Sequence, residues 1–195
     1  RLRGANADGP QATPGTYQVR LTVDGVTRTE QFDLLKDPRL TEVTQADFVA
    51  QFDLAMAVHA RFNDATMAVT RIRALRGEVD DRVQSAADVQ VTQAGTALAT
   101  NLRDVEGDLY EGGAEAQSDL KHFGTRLANH LSYLKGVVMG ADARPTQQSF
   151  QVLEEISVEL DAHLERLELI LGDELDRFND LLREKGLPPV GRLIA

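Results

Sequence analysis

Ten apolar residues, Phe150, Leu153, Ile156, Leu160, Leu164, Leu167, Leu171, Leu175, Phe178 and Leu182, recur at spacings of three and four along one stretch of this chain. That pattern is the mark of a helix with a single buried stripe. Pro145 is well placed as its first residue, where the missing N–H would have no partner anyway. Gly186 and Pro188-Pro189 stop it. About 40 residues at 1.5 Å rise give a rod about 60 Å long. Such a rod must be covered along its length by another long helix or by two shorter ones. It is therefore expected to be the spine of the helical part, with Leu160, Leu164, Leu167 and Leu171 buried.

The covering helices are visible upstream. Thr44-Gln45-Ala46-Asp47 resembles a capping box with Asp in the Glu/Gln position, and Phe48, Phe52, Ala55, Val58, Phe62, Ala65, Val69, Ile72 and Leu75 follow at helical spacing. Gly77 ends this first helix or merely weakens it, since Val79 and Val83 keep the register and one interior Gly costs only about 1 kcal/mol. A second helix runs through Val91, Leu98, Leu102, Val105 and Leu109 until Gly112-Gly113 breaks it. Ala114 to His122 reads as loop, and Leu127, Leu131, Leu134 and Val138 mark a third, shorter helix closed by Gly140. The expected helices span about 44–76, 87–110, 124–140 and 145–185, which makes an antiparallel four-helix bundle over 41–195.

Ahead of it the period is two. Tyr17, Val19, Leu21 and Val23 alternate with Gln18, Arg20 and Thr22, and Asp24-Gly25 is the loop signal of a type I′ hairpin. Val23 then faces Val26, and counting back sets Leu21 opposite Arg28, Val19 opposite Glu30 and Tyr17 opposite Phe32. Tyr17, Val19, Leu21, Val23, Phe32 and Leu34 share one apolar face, with Thr27, Thr29 and Gln31 on the other. Pro38 ends the strand because it cannot donate to a ladder. A lone two-stranded hairpin is marginal in water, so this hairpin, about residues 15–35, is expected to be a remnant of a larger β-module over 1–40, the chain beginning mid-domain. Its apolar face should pack on missing sandwich strands, on a second copy, or on the first helix.

No catalytic constellation is present in the sequence. Absence of cysteine removes disulfides, thiolate metal sites and cysteine nucleophiles together. His59, His122, His130 and His163 are the only imidazoles, and none lies in the Glu-x-x-His pattern that di-iron bundles use. Glu159 and His163 could share a helix face as a weak pair; Asp119-Leu-Lys-His122 reads as a turn or cap. Glu154-Glu155 and Asp80-Asp81 are neighbours that point about 100° apart on a helix, a solvated face rather than the converging carboxyl pair of a glycosidase. No G-x-S-x-G, P-loop or H-E-x-x-H occurs, and the glycines are not spaced to cradle phosphate. Catalytic, cofactor-binding and metal residues are thus expected to be none, and cofactors none.

Charge and hydropathy narrow the partners. Net charge is −10, from 21 basic and 31 acidic side chains, and residues 1–40 contribute six basic and five acidic, so the acid sits on the helices. That surface repels nucleic-acid phosphates and anionic lipid. No stretch approaches the ~20 apolar residues that span a bilayer, and RLRGANADGP has no apolar signal-peptide core. Any signal peptide would lie upstream. Seventeen arginines against four lysines hint at a GC-rich bacterial genome.

PGTYQVRLTVDG with the Asp37-Pro38-Arg39 stop, GADARPTQQSFQVLEEISVELD and the closing FNDLLREKGLPPV resemble the C-terminal region of bacterial BNR/Asp-box repeat proteins, often called sortilin-like or glycosyl hydrolase BNR repeat proteins. The likeness covers residues 13–40 and 119–190, with the helices between agreeing in pattern. It implies an N-terminal signal peptide, one or two β-propellers, an Ig-like sandwich and then a helical bundle. Leu2-Arg3-Gly4 is similar to the end of the preceding sandwich strand, and the link from there to Pro14 is short: either an insertion is lacking or residues are missing. The Asp-boxes that give the family its name lie in none of these residues, so no catalytic residue carries over.

The expected fold is therefore mainly α, a four-helix bundle preceded by an Ig-like hairpin remnant. The expected function is a non-catalytic structural or interaction module at the C-terminal end of a larger secreted or periplasmic propeller protein, with its own upstream propeller and sandwich domains as partners. The alternatives are an accessory part of a BNR-repeat glycoside hydrolase whose active site lies in the absent propeller, and a stand-alone partner-binding bundle. Self-association or a protein partner is compatible with each; nucleic-acid binding and membrane insertion are not expected.

Overall fold

The computed structural model describes residues 9–110 and 126–191. The anticipated break at Gly112-Gly113, the loop from Ala114 to His122, the first residues of the third helix and Leu2-Arg3-Gly4 lie outside the described residues. The chain is mainly helical, and among the described residues it has one antiparallel hairpin, β1 (Gly15–Val23) and β2 (Val26–Leu34). The helices are α1 (Gln45–Ala86), α2 (Val89–Leu109), α3 (Leu127–Met139) and α4 (Gln147–Leu169), and α4 runs through a π-helical turn (Ile170–Glu174) into α5 (Leu175–Glu184).

α1 begins at the capping box its sequence announces: the Asp47 N–H donates to Thr44 Oγ1 at 3.3 Å, and Asp47 Oδ2 accepts from the Thr44 N–H at 3.0 Å. It does not stop near Gly77. It continues to Ala86, because Val79 on the next turn is fully buried and the packing of that turn outweighs a glycine's weak helix propensity. The true stop is Ala87, in the left-handed region at φ 47°. Asp88 then caps α2, accepting from Gln90 N–H at 2.8 Å and Val91 N–H at 3.2 Å.

Along α1, Leu54, Ala55, Val58, Phe62, Ala65, Val69, Ile72, Leu75 and Val79 are buried and belong to one continuous core. α2 and α3 pack against α1, and α4 packs against α1, α2 and α3. The first helix, rather than the last, is thus the element on which the others lie. The α1–α2 crossing is close at Gly95: a Cβ there would collide with Val83 Cγ2 and meet the Phe178 ring at 3.3 Å.

The long C-terminal rod is present, with two corrections. Pro145 precedes the helix, since Thr146 is the cap, its Oγ1 accepting from the Ser149 N–H at 3.4 Å. The apolar stripe is also rephased. Leu160 and Leu167 are buried, but Leu164 and Leu171 are only half-buried and Ile170 takes the core position at 4% exposure. In the π turn the Leu175 N–H donates to Ile170 O, five residues back, so Ile170 and Leu175 both face the core and Phe178 and Leu182 follow in register. Gly186, at φ 72°, closes the rod: its N–H donates to Arg183 O at 3.0 Å and the Leu187 N–H to Leu182 O at 2.8 Å, a Schellman ending. Asn179 then holds the tail, accepting from Val190 N–H at 2.8 Å and donating to Val190 O at 3.1 Å.

Two glycine substitutions are expected to act with opposite signs. Gly77 is exposed, helical and has open space around its Cβ direction, so Gly77→Ala should raise stability by about 0.5–1 kcal/mol. Gly95→Ala should cost about 1–3 kcal/mol through overpacking. Urea denaturation of both variants measures this, and a destabilising Gly77→Ala would place the helix end where the sequence pattern allowed it. In the same assay Leu167→Ala should cost ~2–5 kcal/mol. Glu168→Ala, which removes only an exposed pair with Arg71 at 2.9 Å, should cost under about 1 kcal/mol.

Candidate interaction face

The hairpin register is the one its turn dictates. Val23 pairs with Val26, Leu21 with Arg28, Val19 with Glu30 and Tyr17 with Phe32, and Asp24 and Gly25 take the positive φ values, 50° and 78°, of the tight turn. One face is polar and bonded within itself: Thr16 Oγ1 donates to Asp33 Oδ1 at 2.7 Å, and the Thr22 and Thr27 hydroxyls are 2.9 Å apart. The other carries Tyr17, Val19, Leu21, Val23, Phe32 and Leu34, with Tyr17 and Phe32 stacked at 5.9 Å. Val26 belongs to the same face and was legible as the partner of Val23, although the alternation of β1 and the two apolar residues at the end of β2 alone do not single it out. Arg28 and Glu30 lie among these residues by register.

Most of this face is open to solvent among the described residues; only Tyr17, whose hydroxyl donates to Thr13 O at 2.7 Å, and Leu34 at the base are partly covered. The strands pair with one another, and only Leu34, the last residue of β2, comes near a helix, across a cleft it shares with Phe48 and Phe52 of α1. Leu21 is 64% exposed, Val26 65% and Phe32 50%. Of the three covers considered for the face, the first helix thus comes near it only at Leu34, across the cleft beneath the hairpin's base.

What the helical body supplies is an anchor at the hairpin's base. Gln45 Nε2 donates to Pro14 O at 2.9 Å. The Lys36 ammonium donates to Leu40 O at 3.1 Å and Val43 O at 2.8 Å, closing the loop between strand and helix. Within that loop Asp37 Oδ1 accepts from the Arg39 N–H at 2.9 Å, and the two side chains form an ion pair at 2.6 Å. These bonds hold the Asp37 carboxyl below its ordinary range and raise the Arg39 guanidinium. A cleft of about 290 Å³ lies beneath the base, where Pro14, Leu34 and Lys36 approach Phe48, Phe52 and Met139.

The chemistry-bearing side chains are dispersed. Among the described residues no group of three or more His, Asp and Glu could hold a metal ion. His163 lies across from α2, its Nδ1 3.5 Å from Asp108 Oδ2, rather than paired with Glu159. His59 Nδ1 is buried without a hydrogen-bond partner among the described residues, and His122 is outside them. Glu154, Glu155, Asp80 and Asp81 are all exposed. Other carboxylates join helices: Glu106 of α2 takes Arg73 and Arg76 of α1, each at 2.6 Å, with Arg73 also stacked 5.3 Å over the Tyr110 ring. Arg61 of α1 pairs with Asp161 of α4 and donates to Ser157 O at 3.2 Å. No helix among the described residues is long and apolar enough to cross a membrane.

The fold and face together define a mainly helical protein that displays a hairpin with one uncovered apolar side. No family model, curated protein or solved structure matches the chain, so the likeness to BNR/Asp-box proteins rests on the residues quoted for it.

A pH dependence follows from Asp88. Its carboxylate accepts from Lys185 at 2.8 Å and from the first N–H groups of α2, which lowers its pKa from the ordinary 3.8. A depressed folded pKa adds stability that is present above the unfolded value and lost as pH falls through the folded one. Asp88→Asn is therefore expected to be less stable than the parent at about pH 7 and to converge with it at about pH 2, read by thermal melts across that range.

Proposed function

We propose that the chain is a non-catalytic structural and interaction module at the C-terminal end of a larger secreted or periplasmic β-propeller protein of the BNR/Asp-box type. The hairpin in this reading supplies two strands of an Ig-like sandwich formed with upstream strands, and the helical body is an antiparallel four-helix bundle that buttresses the sandwich. The observation that carries it is the uncovered face. A half-buried antiparallel sheet has one polar and one apolar side, and this hairpin has that asymmetry with the apolar side open to solvent. Fully burying each such side chain is worth about 1.5–3 kcal/mol, enough for the face to organise an interface. The dispersed histidines and solvated carboxylates support a binding rather than a catalytic role.

The test compares this chain with the intact gene product. The chain alone should bind a hydrophobic dye such as anilinonaphthalene sulfonate and self-associate, Leu21→Thr with Phe32→Thr should abolish both, and the intact protein should do neither. A monomeric chain that binds no dye would sink the reading. The chain should also leave aryl glycosides intact; turnover lost on changing one carboxylate would replace the module with an enzyme.

A further inference from the structure

We propose that the trough between α3 and α4 is a docking groove for an amphipathic helix that carries lysine or arginine beside its apolar stripe. The groove holds about 540 Å³ and is a separate surface from the hairpin face. Its floor is Leu134 and Ile156, buried to 5% and 8% exposure, and its walls are Tyr133 and Val137 of α3 and Val152 of α4, exposed at 76%, 52% and 39%. Single exposed apolar residues are ordinary on any surface. Apolar walls that converge on a concavity between two helices are the usual form of a binding groove.

The shape and the charge both specify the occupant. Tyr133, Leu134 and Val137 of α3, and Val152, Ile156 and Glu159 of α4, follow helical spacing, and α3 at 13 residues is about 20 Å long. A third helix of three to four turns, anchored at i, i+3 or i+4 and i+7, fits such a trough by the packing that joins α3 to α4 themselves. On the rim stand Glu155 and Glu159, one turn apart and exposed. Among the described residues neither meets an ion-pair or hydrogen-bond partner, in contrast to Glu106, Asp161 and Glu168, which are met by arginines from neighbouring helices. Like charges at i,i+4 repel mildly, and a cation laid along the rim turns that repulsion into attraction. The same sign disfavours anionic lipid and nucleic acid and favours a helix with basic flanks.

The probe is a fluorescein-labelled amphipathic peptide of about 14 residues with leucines along one stripe flanked by lysines, beside a twin with every lysine replaced by glutamate. In anisotropy titrations of the chain the lysine peptide should bind at least about tenfold more tightly than its twin, about 1.4 kcal/mol. Glu155→Lys with Glu159→Lys should reverse that preference. Tyr133→Gln with Val137→Gln should abolish binding of both peptides, and Phe32→Thr on the hairpin should leave it unchanged. All these positions are exposed, so circular dichroism should report an intact fold. Equal affinity for the two peptides, no reversal by the lysine variant, or loss of binding with Phe32→Thr would overturn the proposal. So would a dimer of the chain itself that Tyr133→Gln with Val137→Gln dissociates, since the groove would then belong to a second copy.

Discussion

The apolar stripe of α1 is the constraint from which the helical arrangement follows. A 42-residue helix buried on one face from Phe48 to Val79 presents more apolar length than any one neighbour of ordinary size can cover. It is covered in two pieces, by α2 and by α3, and the rod of α4 and α5 then packs over them. Leu102, Leu131 and Leu160, from three different helices, are all fully buried in the same core. The C-terminal rod, although its leucine stripe is the more regular to the eye, is half-buried over much of its outer side. Phe150, Val158 and Leu169 remain exposed.

Local signals were legible where one residue type has few alternatives. Asp24-Gly25 can adopt the positive φ of a tight hairpin turn, and every cross-strand pair follows from counting away from it. Thr44 and Asp47 can satisfy two orphan N–H groups at once, which fixes where α1 begins. Gly77 was ambiguous because its propensity cost, about 1 kcal/mol, is smaller than the burial of Val79 that pulls the helix onward. The stop lies instead at Ala87, a residue with no sequence preference for the left-handed region. The π turn was invisible for a related reason: Ile170 and Leu171 are adjacent and both apolar, so only packing decides which one faces in. Once Ile170 does, the spacing of five to Leu175 demands the extra residue.

The face and the groove differ in how far sequence could reveal them. Alternation in β1 and register in β2 are enough to place six side chains on one surface, because a strand's two faces are fixed by parity. The exposure of that surface beyond Leu34 depends on where the helices lie, which no local pattern encodes. The groove depends wholly on tertiary placement. Tyr133, Val137 and Val152 read as ordinary helix residues, and only the approach of α3 to α4 makes them neighbours. The unpaired glutamates likewise become informative only against the arginine-paired carboxylates elsewhere.

The acidic balance of the helices acquires a structural meaning from those pairs. Most exposed carboxylates would repel one another across a narrow body, and arginine counters this where helices meet, Arg73 and Arg76 on Glu106 and Arg61 on Asp161. Arginine's rigid fork suits such bridging better than lysine's point charge, which fits a chain that uses 17 of one and four of the other. The hairpin carries no share of that network. Its ties to the body are a glutamine, a lysine and a short loop braced by Asp37 and Arg39, all at its base. Bonds of this kind fix the direction in which the ribbon projects while contributing little to the stability of either part. The helical body thus has a core of its own to which no hairpin residue belongs.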